Sequence, residues 1–386
     1  MKILACGYNG SEKFLRKRTE DGAVPSVCID TPVPPYWGEC YDTLRSADFA
    51  DFQLTTTWQS VYLTNKGHLK YLGTNPPDMC KLRWSAILQV VAVGSSTVIC
   101  LEECEELRRL HILTDDGSFA SFGILPKMKH LAKISASLVD ARKTPAVVYG
   151  FRKGSNLMKL SLEHVSAVNG EVQIAKEFDI DVNDLVAGRE HYLLLTGSGQ
   201  VFSWGLSSRG QLGQGCLDAE EEPQLIDAFE DMQITMVSAG GWSSMALNEH
   251  GLVFLWGWNS AGALGFPNRG VREQNKEEPE SGSSDRADKQ EVEVVADPRL
   301  LSLPEKVSWI SCGERHAAAV SVTGRVYVWG LNQHGQLGLG DRRNRDRPVL
   351  MSTLNNVKVQ RVICGEWTTV LLHDEPVDLP EKESNQ

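Results

Sequence analysis

The sequence predicts an all-β protein, a seven-bladed β-propeller in which the N-terminal strand pairs with the C-terminal blade. Three features lead to this fold class: a long repeat in the second half, short apolar runs joined by glycine-bearing turns, and two chain ends that are each incomplete as a repeat. We expect one propeller domain over residues 1–375, with weak repeats over 1–183 and strong repeats over 184–374, and a polar tail over 376–386.

The strong repeats share one internal spacing. A glycine precedes a tryptophan by 16 residues in three segments. These pairs are Gly188 with Trp204, Gly240 with Trp256, and Gly313 with Trp329. Two apolar, β-prone runs flank a glycine turn in each segment, which is typical of a hairpin within a propeller blade. We expect each tryptophan to pack between neighbouring blades.

One interval between repeats is longer than the others. Gly188 and Gly240 are 52 residues apart, whereas Gly240 and Gly313 are 73 residues apart. The excess falls in a polar stretch rich in Glu, Asp and Ser, which favours a disordered acidic insertion over about 267–303. A tolerated surface loop is the ordinary interpretation, and a docking or phosphorylation segment is the alternative.

The first half carries weaker copies, and the two ends complement each other. Gly365 begins a repeat that lacks its Trp-Gly strand, and the N-terminal strand ending at Cys6-Gly7 lacks a preceding partner. Pairing them would remove an exposed sheet edge. The residues counted as one per blade are Cys6, Leu72, Phe122, Tyr149, Trp204, Trp256 and Trp329. The blade number falls to six if the Tyr149 copy is not a blade.

Composition narrows the function classes. The 386 residues include 39 basic and 50 acidic side chains, giving a net charge of −11, which argues against a general polyanion binder. We therefore expect no direct sequence-specific binding of nucleic acid. No run of 18 apolar residues occurs, so we also expect no membrane span.

Cysteine usage predicts a reduced, intracellular protein. The nine cysteines include no C-x-x-C pair, and the apolar N-terminal stretch is too short for a secretory signal. The nearest pair, Cys100 and Cys104, has no second pair to complete a zinc site. We expect no disulfide framework, no metal site and no cofactor.

Two glycine-rich segments carry a family resemblance. They read Trp-Gly-Leu-Ser-Ser-Arg-Gly-Gln-Leu-Gly from Trp204 and Trp-Gly-Leu-Asn-Gln-His-Gly-Gln-Leu-Gly from Trp329. Both resemble the signature of the regulator of chromosome condensation family. The resemblance implies a seven-bladed propeller closed by its termini.

Within that family, the layout is most similar to a member that is a non-enzymatic partner of a Jumonji-type 2-oxoglutarate oxygenase. The resemblance implies a monomeric adaptor, without enzymatic activity, that acts in histone methylation and chromosome segregation. It also implies a location in the nucleus or on chromosomes, with the cytoplasm as a second compartment. The alternatives are a guanine-nucleotide exchange factor for a small GTPase and an accessory subunit of a tRNA-modification complex.

The candidate site residues are few, and no catalytic residue is among them. No H-E-x-x-H, G-x-S-x-G or P-loop motif occurs, and His191 and His316 share one repeat position, which predicts a structural hydrogen bond. The resemblance makes Arg142 the candidate for hydroxylation by the oxygenase. The candidates for partner binding are Trp242, Trp258, Arg342, Arg343 and Arg345.

These partner-binding candidates have ordinary alternatives. Tryptophans outside the repeat pattern can anchor a partner, because Trp and Arg dominate binding hot spots, or they can pack in the core. The three arginines could contact an acidic histone or nucleosome surface, or they could pair with the aspartates between them.

Overall fold

The computed structural model describes residues 2–7, 38–39, 53–56, 60–65, 68–73, 87–93, 97–104, 107–114, 119–123, 131, 133–137, 140, 146–151, 156–164, 170–275, 291–354 and 357–373. In these residues the protein is all-β: strands form six sheets, most of them four-stranded and antiparallel. The predicted polar tail over 376–386 lies outside the described residues. Among the described residues, no helix has the length and apolar character needed to cross a membrane.

Three sheets in the second half repeat the same four-stranded meander. The first contains β14 (Asp184–Ala187), β15 (His191–Leu195), β16 (Val201–Gly205) and β17 (Glu220–Leu225). The second contains β18 (Ile234–Ala239), β19 (Ser243–Asn248), β20 (Val253–Trp258) and β21 (Val294–Leu301). The third contains β22 (Val307–Cys312), β23 (His316–Ser321), β24 (Val326–Gly330) and β25 (Arg345–Leu350). Short helices lie at Asp227–Phe229, Ser260–Gly262 and Ser352–Leu354 (3-10) and at Arg269–Asn275 (α1).

The tryptophans of the strong repeats are fully buried on the third strand of each sheet. The indole Nε1 of Trp256 donates to the Gln211 carbonyl at 2.9 Å, and that of Trp329 donates to the Ala263 carbonyl at 3.0 Å. Both acceptors belong to the loop that leaves the third strand of the preceding sheet. Each indole therefore joins one sheet to its neighbour through packing and a hydrogen bond.

A second set of contacts between sheets explains why the first residue of each Gly-to-Trp spacing is glycine. A Cβ on Gly188 would lie 2.4 Å from the Gly240 carbonyl oxygen, and one on Gly240 would lie 2.3 Å from that of Gly313. The same holds for Gly313 against Gly365, at 2.3 Å. Main-chain bonds run alongside: the amide of Gly241 donates to the Gly313 carbonyl at 3.2 Å. Only glycine leaves room for such close contact between sheets.

The N-terminal strand pairs with the C-terminal hairpin, as the sequence predicts. β1 (Lys2–Gly7) lies between β2 (Gly38–Glu39) and β27 (Thr368–His373), and β26 (Val359–Cys364) completes the sheet. Cys6 faces Thr369 in this register, as Trp329 faces Ala317 in the preceding sheet. The buried Cys6 thiol donates to the Gln336 carbonyl at 3.2 Å, so it takes the position that tryptophan holds elsewhere.

The first half forms a three-stranded and an eight-stranded sheet. The smaller contains β3 (Gln53–Thr56), β4 (Ser60–Asn65) and β5 (His68–Gly73). The larger contains β6 (Ile87–Val93), β7 (Thr97–Cys104), β8 (Leu107–Thr114), β9 (Phe119–Gly123), β10 (Lys133–Ser135), β11 (Ala146–Phe151), β12 (Asn156–His164) and β13 (Gly170–Asp181). Two antiparallel meanders, β6–β9 and β10–β13, meet there through a short parallel contact between β13 and β9.

The sequence placed two of the weak copies on the wrong strand. Leu72 lies on the third strand of its sheet, but Phe122 lies on β9, the fourth strand of its meander, and Tyr149 lies on β11, the second. A glycine followed by an apolar run recurs at several turns of the sequence, such as Gly94, Gly117 and Gly154. Without a Trp-Gly pair, that spacing does not distinguish one strand of a meander from the next.

The predicted insertion over 267–303 is too wide. Arg269–Asn275 forms helix α1, and Val294–Leu301 forms β21, which pairs with β20 as a regular fourth strand. Residues 276–290, which hold most of the acidic side chains of this stretch, lie outside the described residues.

Candidate protein-binding face

The turns between the first and second strands carry the most distinctive side chains of the second half. Each turn begins with one of the glycines that contact the neighbouring sheet. The next two residues are charged or aromatic, with Gly241 as the exception. These turns are residues 188–190, 240–242, 313–315 and 365–367. Because the glycine contacts hold neighbouring turns together, side chains from three sheets meet at one end of the structure.

Two tryptophans form the centre of this surface. Trp242 precedes β19 and Trp258 ends β20, and their rings meet edge to face with centroids 5.7 Å apart. The main-chain amide of Trp258 donates to the Trp242 carbonyl at 2.9 Å. The indole Nε1 of Trp242 donates to Glu190 Oε2 at 3.0 Å, across to the preceding sheet. Both side chains are half-buried, so the ring faces remain partly open.

Three arginines lie within cation–π distance of these rings. The guanidinium carbon of Arg189 lies 5.1 Å from the Trp242 centroid, and that of Arg209 lies 4.7 Å from the Trp258 centroid. Arg315 contacts both rings, at 5.7 and 5.3 Å. Each such cation–π contact contributes about 0.5–1 kcal/mol at an exposed site. We call these five residues (Arg189, Arg209, Trp242, Trp258 and Arg315) the arginine–tryptophan cluster.

The arginines of the cluster differ in their polar contacts. Arg189 is paired with Glu314 from the turn of the third strong repeat. Within the described residues, the guanidinium groups of Arg209 and Arg315 have no ion pair and no side-chain hydrogen bond, only their ring contacts. Leu206 and Val294, which are 41% and 36% exposed, border the cluster. Apolar area and unused guanidinium donors therefore lie side by side.

A second aromatic pair lies at the turn of the last repeat. Trp367 occupies the turn position of Trp242, and its ring meets the His334 ring edge to face at 4.6 Å between centroids. Burial, with a further contribution from the charge of Arg342, lowers the pKa of His334. His334 is therefore neutral at neutral pH, which suits its packing against an indole.

The predicted basic residues of the 341–347 loop divide into two kinds. Arg345 donates to Asp341 Oδ2 at 2.5 Å and to the Arg343 carbonyl at 2.7 Å, as in the ion-pair interpretation. Arg342 and Arg343 are exposed. The buried Asn344 fixes the loop, because its Nδ2 donates to Gln274 Oε1 of α1 at 2.6 Å.

Arg142, the candidate for hydroxylation, lies outside the described residues. The segment just before it is anchored: the Tyr192 hydroxyl donates to Asp140 Oδ2 at 2.7 Å and accepts from the Ser137 amide at 2.7 Å. Burial and the Asp140 carboxylate hold the pKa of Tyr192 well above its usual value. Tyr192 therefore remains a hydrogen-bond donor over the physiological pH range.

The predicted structural role of the two repeat histidines is confirmed. His191 Nε2 lies 2.8 Å from Ser244 Oγ, and His316 Nε2 lies 3.0 Å from Thr369 Oγ1. Both hydroxyls donate to carbonyls of the preceding sheet, so the ring nitrogen must be the donor to each hydroxyl. Burial lowers the pKa of His191 to about 3 and that of His316 to about 4. Both rings are neutral structural groups, one in each of two equivalent sheets.

The first strands line a central cavity of about 540 Å³. Within the described residues, no cluster of three or more His, Cys, Asp or Glu side chains could hold a metal ion. Five cysteines are free thiols: Cys6, Cys100, Cys216, Cys312 and Cys364. Burial raises the pKa of Cys312 to about 12. The arginine–tryptophan cluster is our candidate functional site, because its half-buried rings and its guanidinium groups suit binding of a partner.

Repeated four-stranded meanders around a shared cavity define a β-propeller protein with a candidate protein-binding face. Two models described as "Regulator of chromosome condensation (RCC1) repeat" match the chain, one at residues 198–247, 250–320 and 323–372 and the other at 182–211 and 307–336. Residues 182–372 thus carry these repeats, as the signature segments predict.

The chain is similar to RCC1 domain-containing protein 1 of two mammals. It is 39% identical to the Mus musculus protein over 208 residues and 38% identical to the Homo sapiens protein over 210 residues. Each match covers 50% of this chain, and it covers 55% of the mouse and 56% of the human protein. The matched region is thus only about half the length of these relatives.

Among solved structures, Prp20p from Saccharomyces cerevisiae shares the fold. The TM-score is 0.67 over 98% of this chain and 92% of Prp20p, at 14% sequence identity. Similarity at this identity describes architecture alone. It extends over the weak first half, where the repeat models find no match.

Proposed function

We propose that this protein is a non-enzymatic propeller adaptor that binds a Jumonji-type 2-oxoglutarate oxygenase and acts in chromatin regulation. The observation that carries the proposal is the arginine–tryptophan cluster. It gathers arginine and tryptophan, residue types that dominate binding hot spots, from three sheets onto one half-exposed surface. The choice of an oxygenase as the partner comes from the family resemblance of the segments at Trp204 and Trp329.

The proposal includes a closed ring of seven blades. Counting the eight-stranded sheet as two meanders gives seven units, and the β1–β27 pairing joins the two ends of the chain. A closed ring leaves no sheet edge open at the junction and so favours a monomer that presents fixed loops to a partner.

Arg142 and the loop arginines belong to the same proposal. We place the hydroxylation at Arg142, in the stretch that follows the Tyr192–Asp140 anchor. Arg342 and Arg343 offer an exposed basic pair for an acidic histone surface. Prp20p is itself described by its binding to Gsp1p and histones, which supports a location in the nucleus or on chromosomes.

The direct test is capture of partners by the full-length protein followed by mass spectrometry. We expect the oxygenase in the captured fraction and a gain of one oxygen atom on the peptide that contains Arg142. Trp242→Ala should reduce capture. Arg299→Ala serves as the matched control, because Arg299 also stacks on a ring, that of Phe266 at 4.6 Å, away from the cluster. Capture without the oxygenase would contradict the proposed partnership.

Guanine-nucleotide exchange on a small GTPase is the second candidate, favoured by the shared fold with Prp20p, which is described as binding Gsp1p. Under the adaptor proposal, a stoichiometric amount of protein should not accelerate nucleotide release from a Ran-type GTPase. A tenfold acceleration, equivalent to about 1.4 kcal/mol of barrier, would support exchange instead. Capture of a tRNA-modifying complex would support the third alternative.

A further inference from the structure

We propose that the arginine–tryptophan cluster recognises carboxylates of an acidic peptide segment, through Arg209 and Arg315. This inference rests on the proposed protein-binding function and names the chemistry of the partner surface. Its starting point is the difference among the three arginines: Arg189 is paired with Glu314, whereas Arg209 and Arg315 contact only indole rings within the described residues.

The rings hold both guanidinium groups in place before any partner arrives. Arg315 contacts two indoles, at 5.3 and 5.7 Å from their centroids, and Arg209 lies 4.7 Å from the Trp258 centroid. A cation–π contact uses none of the five N–H donors at the edge of a guanidinium, so these donors stay available. A carboxylate accepts two parallel N–H bonds from such an edge, which makes it the matching ligand. Because the rings already restrict the arginines, less side-chain entropy is lost on binding.

Two glutamates contact the cluster. Glu190 accepts from the Trp242 indole at 3.0 Å, and Glu314 pairs with Arg189. Neither forms an ion pair with Arg209 or Arg315, and three arginines against these two carboxylates leave the cluster with a net charge of +1. The two guanidinium groups without an ion pair, with the exposed Leu206 and Val294 next to Glu190 and Trp258, fit a segment that alternates acidic and apolar residues.

The same cations could attract phosphates, but the rest of the molecule disfavours nucleic acid. The whole chain carries a net charge of −11, and affinity for nucleic acid grows with the number of neutralised phosphates. Two guanidinium groups supply few such contacts. A short acidic peptide needs only local charge complementarity.

The test is fluorescence anisotropy with the full-length protein and two labelled peptides, hexaglutamate and hexaglutamine. These probes differ in charge and have closely matched length and shape. We expect hexaglutamate to bind at least tenfold more tightly. Arg209→Gln and Arg315→Gln should each weaken hexaglutamate binding at least fivefold. Arg315→Lys should also weaken it, because lysine keeps the charge but loses the planar, stacked fork.

Arg299→Gln is the matched control and should change the affinity less than twofold. Thermal melting of each variant confirms that the fold is retained. Equal binding of the two peptides, or an equal loss in Arg299→Gln, would overturn the inference. So would tighter binding of a labelled ten-nucleotide single-stranded DNA that Arg315→Gln abolishes.

A parallel capture experiment separates the two proposals. If the oxygenase is captured equally by the parent protein and by Arg209→Gln and Arg315→Gln, and hexaglutamate does not bind, the adaptor function stands and carboxylate recognition by the cluster is wrong. If hexaglutamate binds as expected but the oxygenase is not captured, the acidic-peptide site stands and the proposed partner is wrong.

Discussion

The two halves of this propeller build similar meanders by different means. In the second half, glycine contacts and buried tryptophans join neighbouring sheets at fixed points of the repeat. In the first half, one junction relies on a side chain: Gln89 Nε2 donates to the Ile134 carbonyl at 3.0 Å, and the Ile134 amide donates to Gln89 Oε1 at 2.8 Å. The core beside that junction consists mainly of Val, Leu and Ile.

The comparison shows what the sequence repeat records. A four-stranded meander needs only alternating apolar residues and turns, which many sequences provide. The Gly and Trp positions recur because they form the contacts between sheets. The repeat signature thus consists of the residues that join neighbouring blades. A blade that is joined by other contacts lacks the signature but keeps its strands.

The largest expected effect concerns the junction between the halves. Deleting residues 1–10 removes β1, which pairs along six residues with β27 and buries Cys6. We expect a loss of several kcal/mol from a total stability of roughly 5–15 kcal/mol. Urea denaturation, monitored by circular dichroism, measures this loss in the free energy of unfolding. Deleting residues 376–386 is the control and should change little. An unchanged urea midpoint after the N-terminal deletion would contradict closure through β1.

One glycine substitution in each half tests whether disturbing a close backbone contact between sheets costs more stability than disturbing a close side-chain contact. Alanine at Gly313 would place its Cβ 2.3 Å from the backbone oxygen of Gly365 and 2.5 Å from the His316 ring. Alanine at Gly150 would meet the flexible end of Leu131 at 2.8 Å. We expect Gly313→Ala to lower the free energy of unfolding by 3 kcal/mol or more and Gly150→Ala by about 1 kcal/mol. Equal losses in urea denaturation would mean that the backbone contact between sheets is not special.

The difference between the two halves in how neighbouring sheets are joined also explains what the sequence could not predict. The Gly-to-Trp spacing predicted the strands, turns and buried indoles of the second half. It could not place Phe122 or Tyr149, because packing alone identifies those strands. It indicated Trp242 and Trp258 as departures from the repeat but missed Arg189, Arg209 and Arg315. Two of these occupy ordinary turn positions, and only the folded structure brings all three to the same rings.

A smaller effect concerns acid stability. The pKa of His316 is about 4 in the folded protein and near 6.5 when unfolded, so the unfolded chain binds more protons as the pH falls below about 6.5. The stabilisation that neutral His316 provides above that pH is lost progressively as the pH falls. The loss is complete below about pH 4. We expect His316 to account for a loss of about 2 kcal/mol between pH 7 and pH 4.5.

His111 in the first half provides the comparison. Burial also lowers its pKa, but Glu102 at 2.9 Å opposes that shift. We therefore expect His316→Gln to flatten the pH dependence of unfolding more than His111→Gln does. Urea denaturation at both pH values measures the two slopes. If His111→Gln flattens the pH dependence of unfolding more than His316→Gln does, the Glu102 carboxylate does not offset the effect of burial on the pKa of His111.

The smallest effect on stability, with a large effect on binding, is expected for Trp242. Trp256 in the same sheet is fully buried, so Trp256→Ala should cost about 3–5 kcal/mol. Trp242 is half-buried, and its edge-to-face and cation–π contacts lie at the surface, so Trp242→Ala should cost about 1 kcal/mol. Removing it also removes a stacking platform for Arg315, so capture of the oxygenase should fall at least tenfold. Urea denaturation and partner titration, run on both variants, separate the two roles of tryptophan. If Trp242→Ala destabilises the protein as much as Trp256→Ala does and partner binding is unchanged, Trp242 is a core residue, and the binding surface lies elsewhere.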